Sequence, residues 1–181
     1  VVSSKATFEI PFGSVERATH MNTSWERAQF EVCGHRFADL SEANYGVSLL
    51  NDCKYGYDVK QNVLRLSLLR APKWPDKGAD IGIHEFTYSL FPHEGDWRKA
   101  EVVNQGYELN HPVNVFVASA HQGRLPNSHS FIETESKQVI LDTVKQSEDG
   151  TGLVLRMYES NGGRECVELS LTRPVSSAHE A

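Results

Sequence analysis

Glu85-Phe86-Thr87-Tyr88-Ser89-Leu90 alternates polar and apolar residues without a break, the period of a strand that buries one face and wets the other. The same period recurs on both sides. Toward the C-terminus, Val167, Leu169 and Leu171 interleave with Glu168 and Ser170, again one apolar and one wet face. Toward the N-terminus, Leu64, Leu66 and Leu68 interleave with Val63, Arg65, Ser67 and Leu69, and this mostly apolar segment predicts a central strand covered on both sides. Further strands are expected at residues 6–10, 28–39, 45–50, 113–118, 138–146 and 153–159. One stretch departs from the pattern: Trp97, Ala100, Val103 and Tyr107 fall at helical spacing, with Asp96 placed as the cap and Asn110-His111-Pro112 as the stop. Many strands with one short helix predict an all-β fold, an antiparallel β-sandwich formed by residues 1–175 as one domain, followed by a disordered tail at 176–181. Residues 72–82 read as a long irregular loop of the kind that carries function or meets a partner, and residues 120–127 as a surface turn.

Composition narrows the function classes. With 181 residues, 39% hydrophobic, the chain can bury a sizeable core. Its 18 Lys plus Arg against 24 Asp plus Glu give a net charge of −6, which lacks the basic footprint of a nucleic-acid binder and does not suit an anionic membrane surface. No apolar run approaches the roughly 20 residues of a bilayer span, and residues 1–10 lack the layout of a secretory signal. The chain opens without Met inside strand-forming sequence, so it reads as an excised or processed piece. Three scattered cysteines, Cys33, Cys53 and Cys166, form no C-x-x-C pair and fit a reducing, cytoplasmic setting. Asn22-Thr23-Ser24, formally a glycosylation sequon, is read as a loop signal.

Metal and nucleophile chemistry find no motif. None of the eight histidines forms H-E-x-x-H or H-x-H, and only His35 and Asp39 are spaced to share a strand face. G-x-S-x-G and a Gly-rich phosphate loop are both absent. No metal ligand, cofactor or self-contained catalytic residue is therefore expected within this chain. What stands out is a pair of dense segments, Leu49-Leu50-Asn51-Asp52-Cys53-Lys54-Tyr55-Gly56-Tyr57-Asp58 and Leu68-Leu69-Arg70-Ala71-Pro72-Lys73-Trp74-Pro75-Asp76, each at the exit of an apolar strand. If the strands are neighbours, Asp52, Lys54, Tyr55, Tyr57, Arg70, Trp74 and Asp76 gather near one rim. Such a rim suits a sugar, because charged groups hydrogen-bond hydroxyls and aromatic faces cover C–H surfaces. The same residues serve equally as an Arg70 salt bridge to Asp52 or Asp76 that holds a loop, with the tyrosines packed as core.

L-L-N-D-C-K-Y-G-Y-D-V (49–59) and R-L-S-L-L-R-A-P-K-W-P-D (65–76) resemble the α-mannosidases of glycoside hydrolase family 38, nearest their cytosolic and vacuolar branch. T-H-M-N-T-S-W-E-R-A-Q-F-E-V (19–32), H-R-F-A-D-L-S-E (35–42) and A-D-I-G-x-H-E-F-T-Y-S-L-F-P-H (79–93) extend the resemblance over residues 8–110. It implies a piece of the C-terminal β-sandwich region, a supersandwich of the galactose-mutarotase-like kind. It also implies a retaining two-carboxylate mechanism and a zinc ion, both belonging to an N-terminal catalytic domain upstream. The partners implied are that domain and a mannose-containing oligosaccharide, with homo-oligomer formation left open. By motif position Arg70 is the first residue expected at the edge of the substrate pocket, followed by Asp52, Lys54 and Tyr55, then Trp74, Asp76 and Asp80. Two other functions answer to the same sequence: a free-standing carbohydrate-binding module, and an architectural domain that buries an apolar face against its own catalytic barrel.

Overall fold

The computed structural model describes residues 1–180; Ala181, the last residue of the expected tail, lies outside the described residues. The chain divides into two compact units, Val1–Pro112 with Ser160–Gly162, and Val113–Glu159 with Gly163 onward. The first unit contains β1 (Lys5–Ile10), β2 (Gly13–Ala18), α1 (Ser24–Ala28), β3 (Val32–Cys33), β4 (Phe37–Ser41), β5 (Tyr45–Asn51), β6 (Gly56–Lys60), β7 (Val63–Leu66), β8 (Tyr88–Glu94) and α2 (Val102–Asn110). The second contains β9 (Ile132–Thr134), β10 (Val139–Gln146), β11 (Leu153–Glu159) and β12 (Leu169–Leu171).

In the first unit a five-stranded sheet ordered β2-β1-β4-β5-β8 lies beside a three-stranded sheet ordered β3-β6-β7, and every pairing is antiparallel. Period-two alternation sends Ala6 and Phe8 from β1 and Ala38 and Leu40 from β4 into one cluster with Tyr57 and Val59 of β6, flanked by Leu49, Leu64 and Leu66. Phe8 meets Tyr57 edge-on at 6.1 Å between ring centroids. Burying each such large side chain contributes about 1.5–3 kcal/mol. The opposite face of the large sheet is covered by α2, which packs on β4 and β5 with Val102 and Val103 buried, and by Trp97, 6.2 Å from Phe37. This is the expected antiparallel β-sandwich. The second unit holds two two-stranded ribbons, β10-β11 and β9-β12.

Several expected elements differ in detail. Residues 28–39 are not one strand: α1 takes residues 24–28, and the chain crosses from β3 in the small sheet to β4 in the large one through Gly34, where a Cβ would lie 2.9 Å from Tyr57 Cδ2. Thr23 and Glu26 make the capping box that nucleates α1, so the described residues hold two helices where one was expected. Asp96 caps the turn ahead of α2 (Lys99 N to Asp96 Oδ1, 2.9 Å) instead of the helix itself, which starts after Glu101 in a left-handed conformation at φ 54°.

β7 is the edge of the small sheet, not a central strand; Leu64 and Leu66 face the core while Val63 is exposed, because only β6 pairs with it. In β8 the buried phase is the reverse of the hydropathy: Ser89, Phe91 and His93 turn inward, while Tyr88 and Leu90 are 56% and 66% exposed. The polar partners of His93, described below, fix that register. Residues 113–118 form no strand.

Candidate functional site

Asn51 ends β5 and organises the loop that follows. Its side-chain amide donates to His35 O (2.8 Å) and to the Tyr57 hydroxyl, and its Oδ1 accepts the Lys54 amide at 2.5 Å. The Tyr57 hydroxyl donates in turn to His35 O at 3.1 Å. Burial pushes the Tyr57 phenol far above its ordinary range, so it remains a neutral donor. Residues 52–55 are thus held on a rigid hub, not on a free loop.

On that hub Asp52 joins Thr87, the residue just before β8: its Oδ2 accepts the Thr87 amide (2.9 Å) and its own amide donates to Thr87 O (3.1 Å). The adjacent Cys53 thiol and the Thr87 amide lower the Asp52 pKa, and the Asp52 carboxylate raises that of Cys53. Lys54 places its ammonium 4.8 Å from the Phe86 ring centroid, and Tyr55 lies 5.4 Å from the His35 ring. Arg70 pairs with Glu31, a partner that spacing did not single out, and with neither Asp52 nor Asp76. The Glu31 carboxylate reaches over Gly56, where a Cβ would lie 2.5 Å from Oε1. The pair forms at Arg70 Nη2; the Arg70 side chain is 64% exposed against 19% for Glu31, which leaves its other N–H donors for a hydroxyl-bearing ligand.

Of the seven expected residues, then, Asp52, Lys54 and Tyr55 sit on the Asn51 hub, and Arg70 is tied to it through Glu31 and Gly56. The other three lie in the loop between β7 and β8. Asp80 Oδ2 accepts the Ala71 amide (2.9 Å) and closes the neck of that loop; Asp76 Oδ1 accepts the Gly78 amide (2.8 Å); Trp74 is 85% exposed.

The buried polar chemistry lies elsewhere, on the α2 side of the large sheet. Asp39 Oδ2 accepts from the Ser48 hydroxyl (2.7 Å) and binds His93 Nε2 (2.8 Å), while its Oδ1 accepts from Ser41 (2.6 Å). His35 shares no such contact with Asp39; the imidazole beside Asp39 comes from β8. Glu9 holds Arg36 through both oxygens, 2.6 Å at Nη2 and 2.9 Å at Nε, with the guanidinium 3.5 Å from the Tyr107 ring centroid. Burial opposes the Arg36 charge, but the Glu9 bonds outweigh it and raise its pKa. A polar-walled cleft of about 410 Å³ opens over Asp39, lined by Ser3, Lys5, Thr7, Glu16, Ser41, Glu42, Trp97 and Arg98 among others, and by none of the seven rim residues. Among the described residues no group of three or more His, Cys, Asp or Glu is placed to hold a metal ion, so the zinc implied by the resemblance does not fit side chains of this chain.

Comparison with known proteins agrees with this architecture. Residues 1–78 match the Glycosyl hydrolases family 38 C-terminal domain, and residues 138–181 match the Glycosyl hydrolases family 38 C-terminal beta sandwich domain. Alpha-mannosidase 2C1 of Homo sapiens is 49% identical over 181 residues, covering 98% of this chain and 17% of that protein. Alpha-mannosidase G of Dictyostelium discoideum is 49% identical over 87% of this chain and 15% of its own length, and the alpha-mannosidase of Saccharomyces cerevisiae is 40% identical over 92% and 16%. The chain spans about one-sixth of the length of these relatives. The crystal structure of an alpha-mannosidase from Enterococcus faecalis V583 superposes with a TM-score of 0.81 over 94% of this chain and 20% of the other at 20% identity, which shows the shared fold. On these matches the chain belongs to glycosyl hydrolases family 38, as part of its C-terminal region.

Proposed function

We propose that the chain is the non-catalytic β-region of a cytoplasmic α-mannosidase whose whole polypeptide removes terminal α-linked mannose from oligosaccharides. The observation that carries this reading is the 49% identity to human Alpha-mannosidase 2C1 over 98% of this chain. Three exposed, unpaired cysteines agree with a reducing compartment. The carboxylate pair and the zinc of such an enzyme then belong to a catalytic domain outside these residues. What this chain contributes is a sandwich that buttresses that domain and a rim that edges the substrate pocket. Arg70 is the leading rim residue: Glu31 engages its Nη2, and the side chain is exposed enough for its other N–H groups to donate to sugar hydroxyls. Asp52, Lys54 and Tyr55 shape the wall beside it, and Trp74, Asp76 and Asp80 form the loop above.

The test is hydrolysis of an aryl α-mannoside by the whole enzyme and by the separately purified 181-residue chain. The whole enzyme turns over and the chain alone does not; zinc-dependent turnover by the chain, or an inert whole enzyme, overturns the assignment. In the whole enzyme Arg70→Ala lowers kcat/KM about 10- to 100-fold, the loss expected for a charged hydrogen bond to substrate, while Glu31→Gln costs less. Equal, small losses in both variants would make Arg70 a loop brace only.

The exposed Trp74 indole favours a second reading, a carbohydrate-binding module. Calorimetric affinity of the isolated chain for mannosides, weakened by Trp74→Ala or Tyr55→Ala, would establish it; flat titrations would remove it.

A further inference from the structure

We propose that residues 113–118 are a β-strand whose neighbour is a strand of the parent enzyme lying outside residues 1–181. The inference rests on the proposed function only for the existence of that longer polypeptide. Val113-Asn114-Val115-Phe116-Val117-Ala118 is dense in β-branched and aromatic residues, with Val113, Val115 and Val117 at period two. Nothing local opposes an extended strand here, since the segment holds neither Gly nor Pro. Yet these side chains are 89% (Val113), 83% (Val115), 87% (Phe116) and 99% (Val117) exposed, and the segment belongs to no sheet. So concentrated an exposure of apolar side chains, on a backbone with no ladder partner, is the state of a strand whose sheet is incomplete.

The second unit around it shows the same deficit. Among the described residues Val139 is its one buried apolar side chain, while Val144, Leu153 and Val154 are exposed. Its sheets are two two-stranded ribbons, a form of marginal stability in water without more strands or a covering layer. Residues 138–181 nevertheless match a domain described as a β-sandwich. The missing layer is assigned to the same polypeptide because relatives matching nearly the whole of this chain are about six times longer, so the parent has ample length to supply it. The added strand would pair the free backbone groups of residues 113–118 and cover the valine face, the geometry of strand addition at a sheet edge.

Hydrogen exchange read by mass spectrometry on the whole enzyme tests this. The amides of residues 113–118 should exchange at least ~100-fold more slowly than in a free peptide of the same sequence, as paired strand amides do, and Phe116→Ser should speed them at least ~10-fold while the amides of β4 and β5 hold. Exchange at the free-peptide rate in the whole wild-type enzyme overturns the proposal, whether or not the variant folds. Protection that appears in the 181-residue chain alone and grows with its concentration also overturns it, by making a second copy the partner. Turnover of an α-mannoside is recorded on the same sample: protection without turnover removes the proposed activity and keeps the strand pairing, whereas turnover with free-peptide exchange removes the pairing and keeps the activity.

Discussion

Glu9 is 2% exposed, and both of its oxygens are spent on Arg36. Glu9→Gln removes the counter-charge and leaves a guanidinium half-enclosed between the sheet and Tyr107, which should cost about 3 kcal/mol of stability. The urea midpoint of the variant measures it, and a shift within the scatter of surface substitutions would mean the pair contributes nothing. Asp52 carries a pH signature instead. Its folded pKa lies below the ordinary 3.8 through the Cys53 thiol and the Thr87 amide, so the unfolded chain takes up a proton first as pH falls. The stabilisation from Asp52 is therefore complete well above 3.8 and is lost as pH drops through the lower folded value. Asp52→Asn should be less stable than the wild type at neutral pH and show a shallower acid slope between about pH 5 and about pH 2. Parallel slopes for the two proteins would dissociate the Asp52–Thr87 link from stability. The two dense segments single out Asp52 and Arg70 but not their partners, since Thr87 and Glu31 lie 35 and 39 positions away and only the fold brings them close.

At the level of elements, the sequence announces strands better than it announces which way they face. Alternation marks β5, β10 and β11 almost to the residue, yet in β8 it points Tyr88 and Leu90 toward a core they do not enter. The phase of β8 is set by His93, whose ring must reach Asp39 and Ser48 across the neighbouring strands, and a buried carboxylate without its partners costs more than two exposed apolar side chains. Capping chemistry, by contrast, was available: Thr23-Ser24-Trp25-Glu26 has the capping-box spacing that starts α1. The register that seats His93 also dictates a glycine opposite it. Gly46 pairs with His93 in β8 and with Ser41 in β4, and a Cβ there would press into the imidazole and come within 2.6 Å of Ser41 Cβ. Gly46→Ala should therefore destabilise by about 1–3 kcal/mol, although alanine otherwise suits a strand better than glycine. A variant of unchanged or higher thermal midpoint would show that the imidazole can move aside without loss.

For the whole molecule, stability is unevenly distributed: the two-sheet cluster of Ala6, Phe8, Ala38, Leu40, Tyr57 and Val59 lies entirely in the first unit. Periodicity counts strands and cannot count the layers that cover them. The loop joining β7 to β8 tests how self-sufficient the first unit is. It exposes Arg70, Lys73 and Lys77 to trypsin, with its neck held by the Asp80 to Ala71 bond. Cleavage there leaves β8 paired with β5 along seven residues, from Tyr45 opposite Glu94 to Asn51 opposite Tyr88, and leaves His93 bound to Asp39. A brief digest should therefore give fragments that separate under denaturing conditions but co-migrate under native ones, because dissociating β8 would strand a buried carboxylate and expose Phe91 and the Leu49 face. Fragments that part under native conditions would show instead that chain continuity through the Arg70 loop, and not the β5–β8 ladder, holds the large sheet together.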